Sequence, residues 1–205
     1  MELKYDSGKI IFNRGLSNLD KLVIKFTKIL AGEKIDYVII SGYIAILFGR
    51  SRHTEDVDIF IQELPFEKFV HFWNALEESG FECINSSNPK DAYYDFLKEM
   101  LAIRFAEKGT IIPNFEIKFP KTKYNIYSMK NKVEVFISSE TLMTSEIELQ
   151  IAFKLYLGSE KDFEDARHLY KVFKGNLNIG LLQKHISELK VEKKAEKVLW
   201  KKFLN

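Results

Sequence analysis

The sequence predicts an α/β fold: strands alternating with helices, followed by a helical C-terminal part. Three observations carry this. Short apolar runs bounded by turn residues alternate with helix-period segments as far as residue 137. From about Ser138 onward the pattern reads as helical to the end. The chain of 205 residues is 46% hydrophobic, enough to fill one core with a helical annex.

Each element has its own signal. Leu19 to Ala31 places Leu19, Leu22, Val23, Phe26, Ile29 and Leu30 at helical spacing, and Gly32 stops it. Asp36 to Ile40 is a short apolar strand of the kind covered on both faces. Tyr43 to Phe48 is one to two turns of helix closed by Gly49, and Val57 to Ile61 is the next strand. Pro65 suits a helix start, with Phe66 to Ser79 at helical spacing and Gly80 ending it. Phe81 to Ile84 is a brief strand, and Pro89 to Glu107 reads as helical or irregular. Phe115 to Phe119 and Val133 to Ile137 are two further strands. The domain reading is an α/β core over 1–137 and a helical part over 138–205 packed on it.

Bulk properties narrow the function classes. A net charge of +2 neither demands nor excludes nucleic acid. The 17 Phe and 9 Tyr argue against disorder. A single cysteine, Cys83, forms no internal disulfide, which points to a reducing compartment. The first residues lack the apolar stretch of a signal peptide, and no apolar run approaches the roughly 20 residues of a membrane span. The expectation is a soluble cytoplasmic protein with no membrane partner.

The chemistry concentrates in Ser41-Gly42 and Asp56-Val57-Asp58. Asp56 and Asp58 are two apart on a strand, so their side chains leave one face with Cα atoms about 6.5–7 Å apart. Two acids so close repel unless a cation joins them, and Mg²⁺ suits a few carboxylates plus substrate phosphates. Alone, the pair is as readily two solvated acids at a strand start. The context adds weight: Ser41-Gly42 follows a buried strand and precedes a helix, where small residues let phosphate approach free N–H groups. Arg50 and Arg52, in the loop before the acids, read either as phosphate or base contacts or as solvated charges.

This combination resembles the nucleotidyltransferase (polymerase-beta-like) superfamily, whose signature is a Gly-Gly or Gly-Ser turn and then an acid-x-acid strand. The closer likeness is to small prokaryotic or archaeal members related to AbiEii-type toxins. Those carry a Gly-Gly-Tyr-Ala-like turn and an Arg-x-Thr-x-Asp-hydrophobic-Asp strand. Arg52-His53-Thr54-Glu55-Asp56-Val57-Asp58 matches the second motif. The first is altered, with Ser41 replacing the leading glycine and Ile44 intervening before Ala45. The resemblance implies a nucleotidyltransferase-fold mixed sheet flanked by helices. It also implies a third carboxylate from a later strand, with Glu116 preferred and Glu134 the alternative. Asp56, Asp58 and Glu116 would then hold Mg²⁺ or Mn²⁺, and Glu116 would help deprotonate the acceptor. Ser41, Gly42, Arg52, Thr54 and Lys118 would bind the NTP.

In the helical part, Ala166, Leu169, Tyr170 and Phe173 form one stripe, with Asp162 and Asp165 on the same side. Asp162 has a role as a helix cap, whereas Asp165 on a buried face needs a cationic partner. Glu148 likewise sits among Ile147, Ile151 and Leu155. By the resemblance Lys154, Lys161, Asp162 and Asp165 would face the nucleotide; alternatively they form an ion-pair network joining two helices. Lys184 to Lys202 carries seven lysines against three glutamates, a solvated basic helix or an RNA-backbone contact, with Phe203 on its apolar face.

The leading functional expectation is a metal-dependent nucleotidyltransferase moving an NMP from an NTP to an acceptor hydroxyl. The resemblance implies tRNA, other RNA or protein as acceptor, a toxin or defence role, and an antitoxin as partner. Two further readings stand beside it: a catalytically drifted nucleotidyltransferase-like binding module, and a phosphate-ester hydrolase, for which no general-base histidine is evident.

Overall fold

A computed structural model describes residues 3–6 and 8–200. At its centre lies a nine-stranded mixed sheet: β1 (Leu3–Asp6), β2 (Lys9–Phe12), β3 (Tyr37–Ile39), β4 (Asp56–Ile61), β5 (Phe81–Cys83), β6 (Ile103–Glu107), β7 (Asn114–Lys118), β8 (Lys132–Ile137) and β9 (Glu140–Ser145). The spatial order is β1-β2-β8-β9-β3-β4-β7-β6-β5. β3 and β4 run antiparallel, β4 and β7 parallel, and β7 and β6 antiparallel.

Period two divides the two faces of β4. Val57, Ile59 and Ile61 are buried, as are Phe115 and Ile117 beside them on β7. Helices α1 (Asn18–Gly32) and α3 (Phe66–Glu78) cover this apolar face. Phe26 of α1 stacks on Phe115 with ring centroids 4.0 Å apart, and Phe72 and Phe81 meet Phe26 edge-on. Such aromatic contacts add specific attraction to the area they bury. α1 opens with a capping box in which Ser17 and Asp20 satisfy each other's end of the turn. Asp20 is fully buried; it also accepts from Arg14 and from the Tyr43 hydroxyl, which ties α1 to the next helix.

That helix, α2 (Gly42–Leu47), leaves β3 through Ser41. The opposite sheet face carries α5 (Lys123–Lys130) and α6 (Ile147–Leu157). α7 (Glu160–Phe173) packs on α6 and α2, and α8 (Ile179–Glu188) and α9 (Glu192–Ala195) complete the helical part. Among the described residues no helix is long and apolar enough to cross a membrane.

The structure corrects two expectations and adds elements the sequence did not suggest. Residues 89–107 are not all helical or irregular: α4 (Pro89–Asp91) runs into a π-helical turn over Ala92–Leu97, and Ile103–Glu107 is a strand. The segment after Ser138 is not helical at first, since Glu140–Ser145 forms β9 in the middle of the sheet, and helix begins at Ile147. Two strands before residue 18 and helix α5 carried no sequence expectation. In the basic tail, Leu189, Val191, Ala195 and Val198 are buried as the apolar face requires, while Phe203 lies outside the described residues.

Candidate active site

Asp56 and Asp58 leave the half-covered face of β4. Parallel pairing sets Asp58 opposite Glu116 on β7, and antiparallel pairing sets Glu116 opposite Arg104 on β6. A row of charges thus crosses three strands. The Lys118 ammonium is 3.1 Å from Asp58 Oδ1 and 2.7 Å from Glu116 Oε2. Arg104 donates through Nε to Glu116 Oε1 at 2.8 Å.

Burial pushes the Asp58 carboxyl above its usual range; Asp56 and Glu116 add to the shift, and Lys118 opposes it. Burial would raise Glu116 as well, but hydrogen bonds from Lys118 and Arg104 outweigh it and hold that carboxyl low. The charges of Asp58 and Glu116 overcome the desolvation of Lys118 and keep its ammonium protonated.

Asp58 and Lys118 line a cleft of about 270 Å³ together with Ser41, Phe60, Gln150 and Phe153. Its walls come from β4, β7, α5 and α6. Asp56 opens into a second recess with His53, Thr54 and Lys161. Thr54 donates from Oγ1 to the Asp56 carbonyl at 2.9 Å, fixing the strand start. The acid pair therefore lines two recesses, Asp58 the one with the Ser41 turn in its wall and Asp56 the other.

Ser41 has φ +65° and ψ −133°, a conformation that favours glycine, and its side chain makes no capping bond to α2. Its N–H donates to Gln150 Oε1 of α6 at 2.9 Å. Gly42 is required by close approach: a Cβ there would stand 2.4 Å from Arg52 Nη2. Arg52 is held in turn, Nε and Nη2 donating to the two oxygens of Asp165, each at 3.0 Å. Arg50 also pairs with Asp165 and with Glu164. Lys154 Nζ is 2.8 Å from Asp162 and 3.1 Å from Asp165.

Lys154, Asp162 and Asp165 therefore form an ion-pair network that joins α6, α7 and the loop before β4. Asp165 has no exposed surface and Lys154 has 4%. Asp162 is the third helical residue of α7 in a capping box with Ser159 as the cap. Lys161 is exposed and reaches the recess of Asp56. Glu134 is three strands from β4 and pairs with Lys9, so the carboxylate beside Asp58 is Glu116. Among the described residues Glu148 takes no lysine; it accepts from the Asn178 N–H at 2.7 Å.

Sequence reasoning missed Arg104 and Gln150. Arg104 lies on the unrecognised strand β6. Gln150 had a usable signal, because Glu146, Gln150 and Lys154 recur every fourth residue through a segment that is apolar apart from these, Glu148 and the Tyr156 hydroxyl.

Oxygen donors suit Mg²⁺, and Asp56 and Asp58 supply two on one strand face. Among the described residues, no three or more His, Cys, Asp or Glu side chains form a metal-holding group. Glu116 is adjacent, but its oxygens already accept from Arg104 and Lys118. The donor set fits an ion held by two carboxylates and completed by substrate phosphates.

No protein-family model and no curated protein sequence matches the chain. Solved structures are similar to it. The antibiotic-resistance factor ANT(2'')-Ia has a TM-score of 0.54 at 12% identity, covering 86% of this chain and 94% of that one. ANT(2'')-Ia in complex with adenylyl-2''-tobramycin gives 0.55 at 12% identity, covering 85% and 98%. An antigenic nucleotidyltransferase-like protein from Paracoccidioides brasiliensis gives 0.49 at 18% identity, covering 90% and 96%. At these identities the likeness is one of fold. The chain shares the fold of ANT(2'')-Ia, and the mixed sheet flanked by helices expected of a nucleotidyltransferase fold is the one it has.

Proposed function

We propose that this chain is a metal-dependent nucleotidyltransferase that moves an NMP from an NTP to an acceptor hydroxyl. One observation carries the reading: strand pairing sets the Ser41 turn beside Asp58, Ile40 N–H donating to the Asp58 carbonyl at 3.0 Å, so that both line one cleft, with Asp56 two residues away on the same strand face. Asp56 and Asp58 would hold Mg²⁺ or Mn²⁺. When bound, the ion would neutralise phosphate charge and polarise the reacting phosphate. The acceptor oxygen attacks the α-phosphorus, the bond from that phosphorus to the bridging oxygen breaks, and pyrophosphate leaves. The acceptor's proton passes to a carboxylate on this face. Lys118 stabilises developing negative charge from a fixed position, and Lys161 supplies a mobile cation beside Asp56. The acceptor class, RNA or protein, rests on the motif resemblance, as do the toxin or defence role and the antitoxin partner.

A second reading has its own support. Gln150 already engages the Ser41 N–H, and Asp165 already engages the Nε and Nη2 donors of Arg52. A nucleotidyltransferase-like binding module with its phosphate contacts internally satisfied would look the same. Incubation with each α-labelled NTP, Mg²⁺ or Mn²⁺ and cellular RNA and protein separates the two. Catalysis predicts label transfer that Asp58→Asn abolishes. Nucleotide binding without transfer from any NTP refutes catalysis in favour of the module.

A further inference from the structure

The acid face holds an arrangement that three metal-binding carboxylates would not need. Both oxygens of Glu116 are committed. Oε1 accepts from Arg104 Nε at 2.8 Å and lies 2.7 Å from Arg104 Nη2, while Oε2 accepts from Lys118 at 2.7 Å. The same ammonium reaches Asp58 Oδ1 at 3.1 Å. Pairing across β4, β7 and β6 fixes this order, since Asp58, Glu116 and Arg104 occupy one register row. A carboxylate already flanked by two cations attracts a further cation weakly. Asp56, by contrast, takes no cation among the described residues; only Thr54 Oγ1 approaches its carboxylate, at 3.4 Å.

We propose that Glu116 is a positioning residue rather than a metal ligand. Braced by Arg104, it holds the Lys118 ammonium against Asp58, and Lys118 supplies the fixed positive charge that a second ion would otherwise bring. The site then takes one divalent ion, on Asp56 and Asp58. This rests on the metal reading given above and specifies its stoichiometry. It also gives Arg104 a purpose: without it, Glu116 Oε1 would be a free donor beside Asp58.

The test is Mn²⁺ binding to the full chain without nucleotide, followed by the electron paramagnetic resonance signal of free Mn²⁺, after thermal melts confirm that each variant folds. The unaltered chain binds one Mn²⁺, and Asp58→Asn loses it. Glu116→Gln still binds one, within about fivefold of the original affinity. Lys118→Met removes the cation from Asp58 and Glu116 and either admits a second Mn²⁺ or tightens the first by about tenfold or more. Lys118→Gln does the same, so one variant suffices if the other fails to fold. The double variant Glu116→Gln/Lys118→Met loses any second ion. Two ions of similar affinity in the unaltered chain, loss of the ion in Glu116→Gln, or unchanged count and affinity in both Lys118 variants overturns the inference alone. No Mn²⁺ binding by the unaltered chain overturns the metal reading together with it.

Discussion

Asp165 is a buried anion whose removal should be costly. It has no exposed surface, yet it accepts from Arg52 Nε and Nη2 at 3.0 Å, lies 3.1 Å from Lys154 and also pairs with Arg50. Asp165→Ala leaves these cations unequally compensated. Lys154 keeps Asp162 at 2.8 Å, and Arg50 keeps Glu164. Arg52, whose side chain is only 9% exposed, keeps just the His53 carbonyl at 3.0 Å. Removing one partner of a buried pair typically costs about 3–5 kcal/mol, because the remaining charge is neither solvated nor neutralised. For a chain of this size about 2–4 °C of melting temperature follows each kcal/mol, so Tm should fall by about 6–20 °C. Urea unfolding followed by circular dichroism measures the free energy directly. A loss below about 1 kcal/mol is the size expected of an exposed pair, and would refute the idea that this network clamps α7 to the loop before β4.

Gly42→Ala forces a Cβ to within 2.4 Å of the Arg52 guanidinium, which Asp165 prevents from moving aside; it should cost about 1–3 kcal/mol in urea unfolding. The same substitution should cost measurably less in an Asp165→Ala background, where Arg52 is free to shift. Ser41→Gly should stabilise the chain by about 1 kcal/mol by relieving the positive φ; an unchanged or lower stability would show that the serine conformation carries no strain. Two carboxyls should change stability with pH in opposite senses. Burial raises Glu148 above 4.5, so its contribution falls as pH rises through the interval between its unfolded and folded values, and Glu148→Gln should gain on the parent across that interval. Lys154 and Ser159 hold Asp162 below 3.8 against the effect of burial, so the loss in Asp162→Asn should be full at neutral pH and vanish as pH falls through the folded value. Urea unfolding of both variants and the parent across pH checks each sign.

Much of the fold was legible because its central strands announce themselves locally. Val57 to Ile61 and Phe115 to Phe119 are short runs of β-branched and aromatic residues, and the charged positions within them keep period two. The strands that escaped notice lack that signal. β6 has five residues after a segment with no breaker, and β9 buries Thr144 and Ser145 beside one large apolar side chain, Leu142. β9 forms a hairpin with β8 through Ser138 and Ser139, a turn without the glycine or asparagine that usually marks one, and its place in the middle of the sheet depends on the distant β3. α5 buries only Ser128 among its side chains, so it has no apolar stripe to read. Within the site, spacing was enough to place Asp56 and Asp58 on one face. Choosing Glu116 over Glu134 as their neighbour required strand order, because both sit on strands with alternating residues and only topology puts β7 beside β4.

The residues that the motif resemblance assigned to the nucleotide divide by burial into two physical roles. Lys161 and Lys118 stand in recesses that a phosphate can enter, so they can meet a ligand directly. Lys154 and Asp165 lie behind the Arg52 side chain and are all but inaccessible, so their influence must pass through the loop from Arg50 to Thr54. That loop ends at Asp56, and Thr54 Oγ1 is bonded to the Asp56 backbone. Gln150 works from the same wall, holding the Ser41 turn that β3–β4 pairing sets beside Asp58. Helix α6 thus braces the turn, and α7 braces the loop that leads to the acids. A phosphate approaching Arg52 has to compete with a buried bidentate carboxylate, whereas one approaching Lys161 meets an exposed ammonium. Lys161 shares its recess with Glu55 and Asp56, so under the proposed function a phosphate would enter there only with a divalent ion offsetting the two carboxylates.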